Sequence, residues 1–278
     1  MYRLLLVCLT LLATLSTPPA LAAGGSLSLG INEGTSSSLD ALFLRQKYAA
    51  FASHLGTAAG KPVRLETSNV LPILVRNIGK SKYDVLLVRP SHISAQAMRD
   101  HGYRLLVTAK GESKLHFLVR GDSPLRTLED VRGKRIAIPN DLAYPSQLAQ
   151  AVLRDAGLKD ERSHILVMDR QDAVSYAVRE GMADVGVVMS YSRPAADWQG
   201  LGGRFLYTKD GLPYWSVIVS NQVSEAEANR LRDALLALGK TPKGQGILRE
   251  IGIEAFQPGT QQPYLDMLAW VEGRKRLQ

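Results

Sequence analysis

From Ser26 onward, short apolar runs of β-forming residues alternate with amphipathic windows of helical period, and the alternation pauses in two places. This restricts the chain to a layered α/β protein with largely parallel sheets, because parallel neighbours must be joined by a long crossover that a helix fills. Strands are expected at residues 27–31, 63–67 and 85–88, with helices between them at 40–55 and 71–78. In the first helix Leu42, Lys47, Tyr48, Phe51 and Leu55 recur at mostly helical spacing, and Gly56 stands near the expected end. Two extended runs, 103–108 and 115–119, then follow one another. A second series begins after them: strand 134–138, helix 146–156, strand 164–167, helix 173–180 and strand 185–188. Another extended pair, 205–208 and 215–220, precedes helices at 224–238, 246–251 and 264–274. Two α/β series joined by two extended crossings predict two α/β lobes linked by two hinge strands. Residues 24–111 with 212–278 form the expected first lobe, and residues 112–211 the second. A two-strand hinge lets lobes close on a ligand, so the architecture already leans towards binding.

Residues 1–23 read as a secretory signal peptide. Arg3 precedes an apolar run from Leu4 to Leu15, and Ala20-Leu21-Ala22 offers the small side chains that signal peptidase accepts. The run is too short to cross a bilayer core of ~30 Å. Cleavage is expected after Ala22 or Ala23, which places the mature chain in the periplasm. Cys8 is the sole cysteine and lies in the leader, so the mature chain has no disulfide, thiolate chemistry or sulfur ligand to work with. The full chain carries 34 basic and 26 acidic residues, a net charge of +8, which concentrates anions near the surface. Basic residues are scattered apart from Arg274-Lys275-Arg276, and no nucleic-acid motif accompanies them. His54, His92, His101, His116 and His164 are dispersed, and neither an HExxH pair nor a G-x-S-x-G elbow occurs. Gly239-Lys240-Thr241 imitates the end of a phosphate-binding loop, but Ala234 stands where that loop requires glycine. No catalytic residue, metal or cofactor is therefore predicted, and the chain is expected not to be an enzyme.

Three segments carry a resemblance to a known family. Leu128-Glu129-Asp130-Val131-Arg132-Gly133-Lys134-Arg135-Ile136-Ala137 is a turn entering a strand. Ala177-Val178-Arg179-Glu180-Gly181-Met182-Ala183-Asp184-Val185-Gly186 joins a helix to a strand. Pro242-Lys243-Gly244-Gln245-Gly246-Ile247-Leu248 is followed by Ile251-Gly252-Ile253 and Phe256. In order and spacing these segments resemble the phosphonate/phosphite/phosphate family of periplasmic solute-binding proteins that serve ABC importers. The resemblance implies the type II periplasmic-binding-protein fold. Gly133 would turn the chain into a strand, Gly181 would end a helix in the left-handed conformation, and Asp184 would mark a strand entry.

In such lobes ligands are held by loops after the carboxyl ends of strands. Those loops are polar here: Asn32 to Ser38, Ser68-Asn69, Arg89-Pro90-Ser91-His92, Asn140 to Gln147, and Asp169 to Asp172. Arg89, at the tip of an apolar strand, is read either as a guanidinium for an oxyanion or as an ion pair with Glu33 or Asp84. Asn32 and Asn69 are candidates that also suit ordinary turns. The resemblance places His92 where the family has a ligand-facing tyrosine; a helix-start histidine is the other reading. It aligns Tyr144 to Gln147 with the family's Ser-Thr-Ser-Gly oxyanion segment. Ser146 keeps a hydroxyl there and is expected to cap the helix, Pro145 removes an N–H, and Gln147 replaces the glycine. It also puts Arg170-Gln171 where the family has Ser-His. Gln171 then becomes a neutral amide donor or a helix-start residue, and Arg170 a permanent charge for the ligand or for solvent.

The expected partners are a small anionic ligand, of phosphonate, phosphite, phosphate or carboxylate type, and an inner-membrane ABC permease that receives it from a monomeric binding protein. A periplasmic sensing module docking on a membrane sensor kinase or cyclase is the alternative.

Overall fold

Leu27–Asn32 (β1) buries every one of its side chains, which suits a strand paired on both sides. It runs parallel to Val63–Thr67 (β2) and to Val85–Val88 (β3). These relations come from a computed structural model that describes residues 25–36, 40–68, 70–158 and 164–273. The expected leader with its cleavage position, Asn69, and the basic cluster at 274–276 lie outside the described residues.

Ala41–Ala59 (α1) connects β1 to β2. It starts at Asp40, whose carboxylate accepts the Phe43 N–H, and stops at Gly60, which adopts the left-handed conformation with φ 70°. Gly56 therefore lies inside the helix, one turn short of the true end. The buried stripe continues through Leu55 to Ala59 and outweighs the modest helical cost of one glycine. Leu71–Gly79 (α2) leads to β3, and Ser91–Asp100 (α3) leads from β3 to Arg104–Ala109 (β4). The sequence reading missed α3 as a helix, because its buried positions include Ser91, His92 and Ser94 and so disguise the apolar stripe.

The second sheet opens with Ser113–Arg120 (β5) and continues through Ile136–Pro139 (β6), Ile165–Met168 (β7), Val185–Met189 (β8) and Gly203–Leu212 (β9). Its order is β7-β6-β8-β5-β9, with β5 antiparallel to both neighbours. Tyr144–Asp155 (α4), Gln171–Arg179 (α5) and Arg193–Asp197 (α6) clothe it. Gly133, with φ 71°, and Gly181, with φ 70°, take the left-handed turns expected of them. The Arg135 backbone N–H and guanidinium both bond to the Asp184 carboxylate, tying the entries of β6 and β8 together.

The chain then returns as Ser216–Val219 (β10), Glu225–Ala237 (α7), Pro242–Ile251 (α8), Phe256–Gln257 (β11) and Gln262–Val271 (α9). The first sheet is completed in the order β11-β4-β10-β3-β1-β2. The two passages between sheets, after Ala109 and after Leu212, lie side by side. The Ala109 N–H donates to the Trp215 carbonyl at 2.8 Å, and Ser113 pairs opposite Leu212. This is the type II periplasmic-binding-protein architecture, with two α/β lobes joined by paired hinge strands.

One face of the first sheet packs on α1, α7 and α8 around Phe51, Leu55, Leu231 and Ile251. A second core runs across both lobes, joining Leu86, Ile93 and Met98 to Tyr144, Leu148 and Val152, with Tyr264, Met267 and Leu268 of α9 completing it. The helix α9 thus touches both lobes: the Arg154 guanidinium on α4 donates to the Trp270 carbonyl at 2.8 Å, and Arg99 on α3 pairs with Glu272 at 2.6 Å.

Candidate ligand-binding cleft

Arg89 follows directly on the buried strand β3, and its N–H donates to the Asn32 carbonyl at 3.0 Å. That bond fixes the residue at the top of the sheet. Its guanidinium lies over the Trp215 ring at 3.9 Å, and Nη2 stands 3.4 Å from Glu33 Oε1. Of the two partners proposed for Arg89 in the first lobe, Glu33 is the one present; Asp84 accepts the Ser28 N–H instead. Glu33 is 2% exposed and also binds Lys47 Nζ at 2.6 Å and the Tyr48 hydroxyl at 2.7 Å. Burial pushes its carboxyl up, but Arg89, Lys47 and Tyr48 together outweigh that and hold it below the ordinary carboxylate value. Two cations against this one carboxylate leave one net positive charge at the top of the first sheet.

The second hinge passage brings aromatic surface to the same place. Tyr214 stacks on Trp215 at 4.8 Å between centroids, and Tyr191, which follows β8 in the second lobe, meets both rings edge-on at 6.2 and 5.5 Å. Ser91 Oγ donates to the carbonyls of Pro213 and Tyr214, and the Tyr264 hydroxyl donates to the latter at 2.8 Å. The passage is therefore pinned to the start of α3 and to α9. Burial pushes the Tyr191 and Tyr214 hydroxyls up, with Arg89 opposing, so both stay neutral donors.

Tyr144, the first residue of α4, closes the arrangement from the second lobe by stacking on His92 of α3 at 5.3 Å and 10°. Burial pushes the His92 imidazole down to about 4, with a backbone hydrogen bond at Leu142 opposing, so the ring is neutral. The Tyr144 hydroxyl, the Trp215 indole N–H and His92 Nδ1 are buried without a hydrogen-bond partner. Ser91 Oγ lies beside the Tyr144 hydroxyl but outside hydrogen-bonding geometry. Buried polar atoms left unpaired cost free energy, and such atoms are rare in native proteins unless something else satisfies them.

Arg89, His92 and Tyr144, all expected from sequence, are thus brought together. Gln171 is near them in role: it is 1% exposed, accepts the Met189 N–H at 2.7 Å and donates to Thr35 Oγ1 at 3.4 Å, joining the two lobes. Asn32 is a buried turn residue, donating to the Ser68 carbonyl and accepting the Gly34 N–H at 2.8 Å. Gln147 donates to the Asp141 carbonyl at 2.6 Å and faces α2 and α3 across the lobes. Arg170 stands apart, 49% exposed and paired with Asp172 at 3.2 Å, the solvated reading of its charge. Ser146 does not cap its helix. The helix begins earlier, at Tyr144, with Ala143 as a cap that makes no side-chain bond; Ser146 falls on the inner face and gives its hydroxyl to the Pro139 carbonyl.

Tyr191, Tyr214 and Trp215 escaped the sequence reading. The Tyr214-Trp215 pair lies at the second crossing, and Tyr191 lies in the loop after β8, outside the polar loops from which the candidates are drawn.

Comparison with known proteins gives the family and the fold. A family model described as the phosphonate periplasmic substrate-binding protein of ABC transporters matches residues 34–264. A search of curated proteins finds no match. Among solved structures, XAC2383 from Xanthomonas citri bound to ATP superposes with a TM-score of 0.74 at 15% identity, covering 89% of this chain and 98% of that one. PhnD1 from Prochlorococcus marinus in complex with methylphosphonate gives 0.71 at 14% identity, covering 89% and 97%. A binding-protein component of an ABC phosphonate transporter from Pseudomonas aeruginosa gives 0.69 at 14% identity, covering 89% and 85%. At these identities each likeness is one of fold.

Proposed function

This chain belongs to the family of phosphonate periplasmic substrate-binding proteins of ABC transporters, and on that premise we propose that it captures a small oxyanion between its lobes and passes it, unaltered, to a permease. The observation that carries this reading is the set of buried, unpartnered donors, Tyr144 Oη from one lobe and Trp215 Nε1 from the hinge, beside the net positive charge of Arg89, Lys47 and Glu33. An anion entering there would accept from donors that otherwise have no acceptor, and its charge would meet a guanidinium fixed by stacking. Such an interaction is worth more in a desolvated cleft than in water. Contacts drawn from both lobes favour the closed state over the open one, which is how a ligand shifts a two-state hinge. The fold alone leaves the ligand open: solved relatives hold methylphosphonate in one case and ATP in another. Transport is preferred to sensing because the family serves transporters.

A thermal-shift panel of the mature protein against phosphonates, phosphite, phosphate, sulfate and carboxylates tests the reading. At least one anion should raise Tm by several degrees when present at about 100 times its Kd, where binding adds about 2.7 kcal/mol. No shift with any of them would sink it.

A further inference from the structure

Helix α9 begins at the hinge and ends on the second lobe. Tyr264, Met267 and Leu268 recur at a spacing of three and four, so one face is buried in the core that both lobes share. Its start belongs to the first lobe. The Tyr264 hydroxyl meets Thr108 Oγ1 at 2.9 Å as well as the Tyr214 carbonyl, and Gln261 Oε1 accepts the Leu105 N–H at 3.2 Å. The last turn is held differently. A helix end leaves its final carbonyls without partners inside the helix and carries a partial negative charge. A cation of the other lobe meets both conditions here: Arg154, on the last turn of α4, donates from Nη2 to the Trp270 carbonyl at 2.8 Å and from Nη1 to the Val271 carbonyl at 3.2 Å. Asp155 beside it accepts the Trp270 indole N–H at 2.5 Å, and Lys209 of β9 stands 5.7 Å over the same ring. Second-lobe groups thus grip Trp270 by its carbonyl, its ring N–H and its ring face. They lie away from the cleft, since Arg154 and Asp155 end α4, ~16 Å along the helix from Tyr144 at its start.

We propose that Arg154 and Asp155, by holding Trp270, latch the two lobes closed from outside the cleft and so set its affinity for whatever it binds. Opening turns the second lobe about the hinge passages. The hinge end of α9 is fixed to the first lobe at Tyr264, and Trp270 lies ~9 Å further along the helix axis. The far end is tied to the first lobe as well, because Glu272 pairs with Arg99 of α3 at 2.6 Å. Rotation therefore draws Arg154, Asp155 and Lys209 away from a helix end that cannot follow them. Their bonds to Trp270 and Val271 are made in the closed arrangement and lost in the open one, so they favour closure with or without a ligand. A protein whose binding-competent state is already populated binds more tightly in proportion to that population. Residues that touch no ligand thus raise the affinity of the cleft.

The test uses the mature protein, which has no cysteine after Cys8, spin-labelled through Leu42→Cys in the first lobe and Leu201→Cys in the second, two exposed positions. Distances between the labels, measured by electron resonance without added anion, report the open and closed populations. Arg154→Met removes both donors to α9, and Trp270→Phe removes the indole N–H while keeping a ring. Each should raise the ratio of open to closed about threefold or more, as loss of a net hydrogen bond implies, and Arg154→Lys should stay nearer the unsubstituted protein. Calorimetric titration with methylphosphonate should show weaker binding in Arg154→Met and Trp270→Phe, in proportion to the closed fraction lost. Unchanged distances in both variants overturn the inference, and so does a lowered Tm with unchanged distances, which is what groups that only cap α9 would give. Absence of methylphosphonate binding in every form counts against the functional reading instead, and the distances then decide the latch alone.

Discussion

At the scale of single residues, burial dominates the chemistry of one group at the cleft. His92 is held neutral in the folded protein, its imidazole lowered to about 4 from the ordinary 6.5. Between those values the unfolded chain takes up a proton that the folded chain refuses. Stability is thus fully present above pH 6.5, declines as the pH falls towards 4, and changes no further from this source below that. The whole loss amounts to about 3 kcal/mol. Urea unfolding at stepped pH should show this decline, and His92→Gln should flatten it. Arg170 offers the opposite case. As a half-exposed residue paired with Asp172 in the first turn of the helix it precedes, its change to alanine should alter stability by less than about 0.5 kcal/mol and leave anion affinity within twofold. Titration calorimetry of Arg170→Ala checks the second figure, and a tenfold loss would return Arg170 to the site.

At the scale of elements, α5 is packed by Val174, Ala177 and Val178 and tied at its start by one polar side chain. Gln171 at its start gives its carbonyl oxygen to the buried Met189 N–H and its amide to Thr35 of the other lobe. Gln171→Ala would leave that N–H without an acceptor and should cost about 1–3 kcal/mol of stability in urea unfolding. Gln171→Glu keeps an acceptor and should cost less. Equal losses would place the role of Gln171 in packing instead. This double use was only half legible in the sequence. A polar residue after a strand was recognisable as either ligand contact or helix start, but its bond to Met189 joins residues that are distant along the chain. The apolar strands β1, β3 and β8 were legible because unbroken burial leaves an unmistakable run. The helix α3 was not, since its inner face carries serine and histidine whose partners, Pro213 and Ser216 among them, come from the returning chain. Ser146 was misread for a related reason. A hydroxyl near a helix start resembles a cap until the first turn is placed, and Pro145 in that turn puts the cap three residues earlier, at Ala143.

At the scale of the whole molecule, the two lobes meet through the paired hinge strands, the apolar core that α3 and α9 share with α4, the polar bridge of Gln171, and the aromatic set of His92, Tyr144, Tyr191, Tyr214 and Trp215. The hinge pairing and the two series of strands follow from local patterns, which is why the architecture could be derived. The aromatic set could not, because its members lie far apart in sequence and carry no shared motif. The account stands on the buried donors at that meeting point. The most direct measurement is a calorimetric titration of the mature protein and of Tyr144→Phe with the anion that gives the largest thermal shift. The substitution removes a hydroxyl that has no partner in the unliganded protein, so Tm should not fall, while affinity should weaken about tenfold through the lost charge-assisted bond. An unchanged affinity in Tyr144→Phe would contradict the account, since the hydroxyl would then serve no ligand.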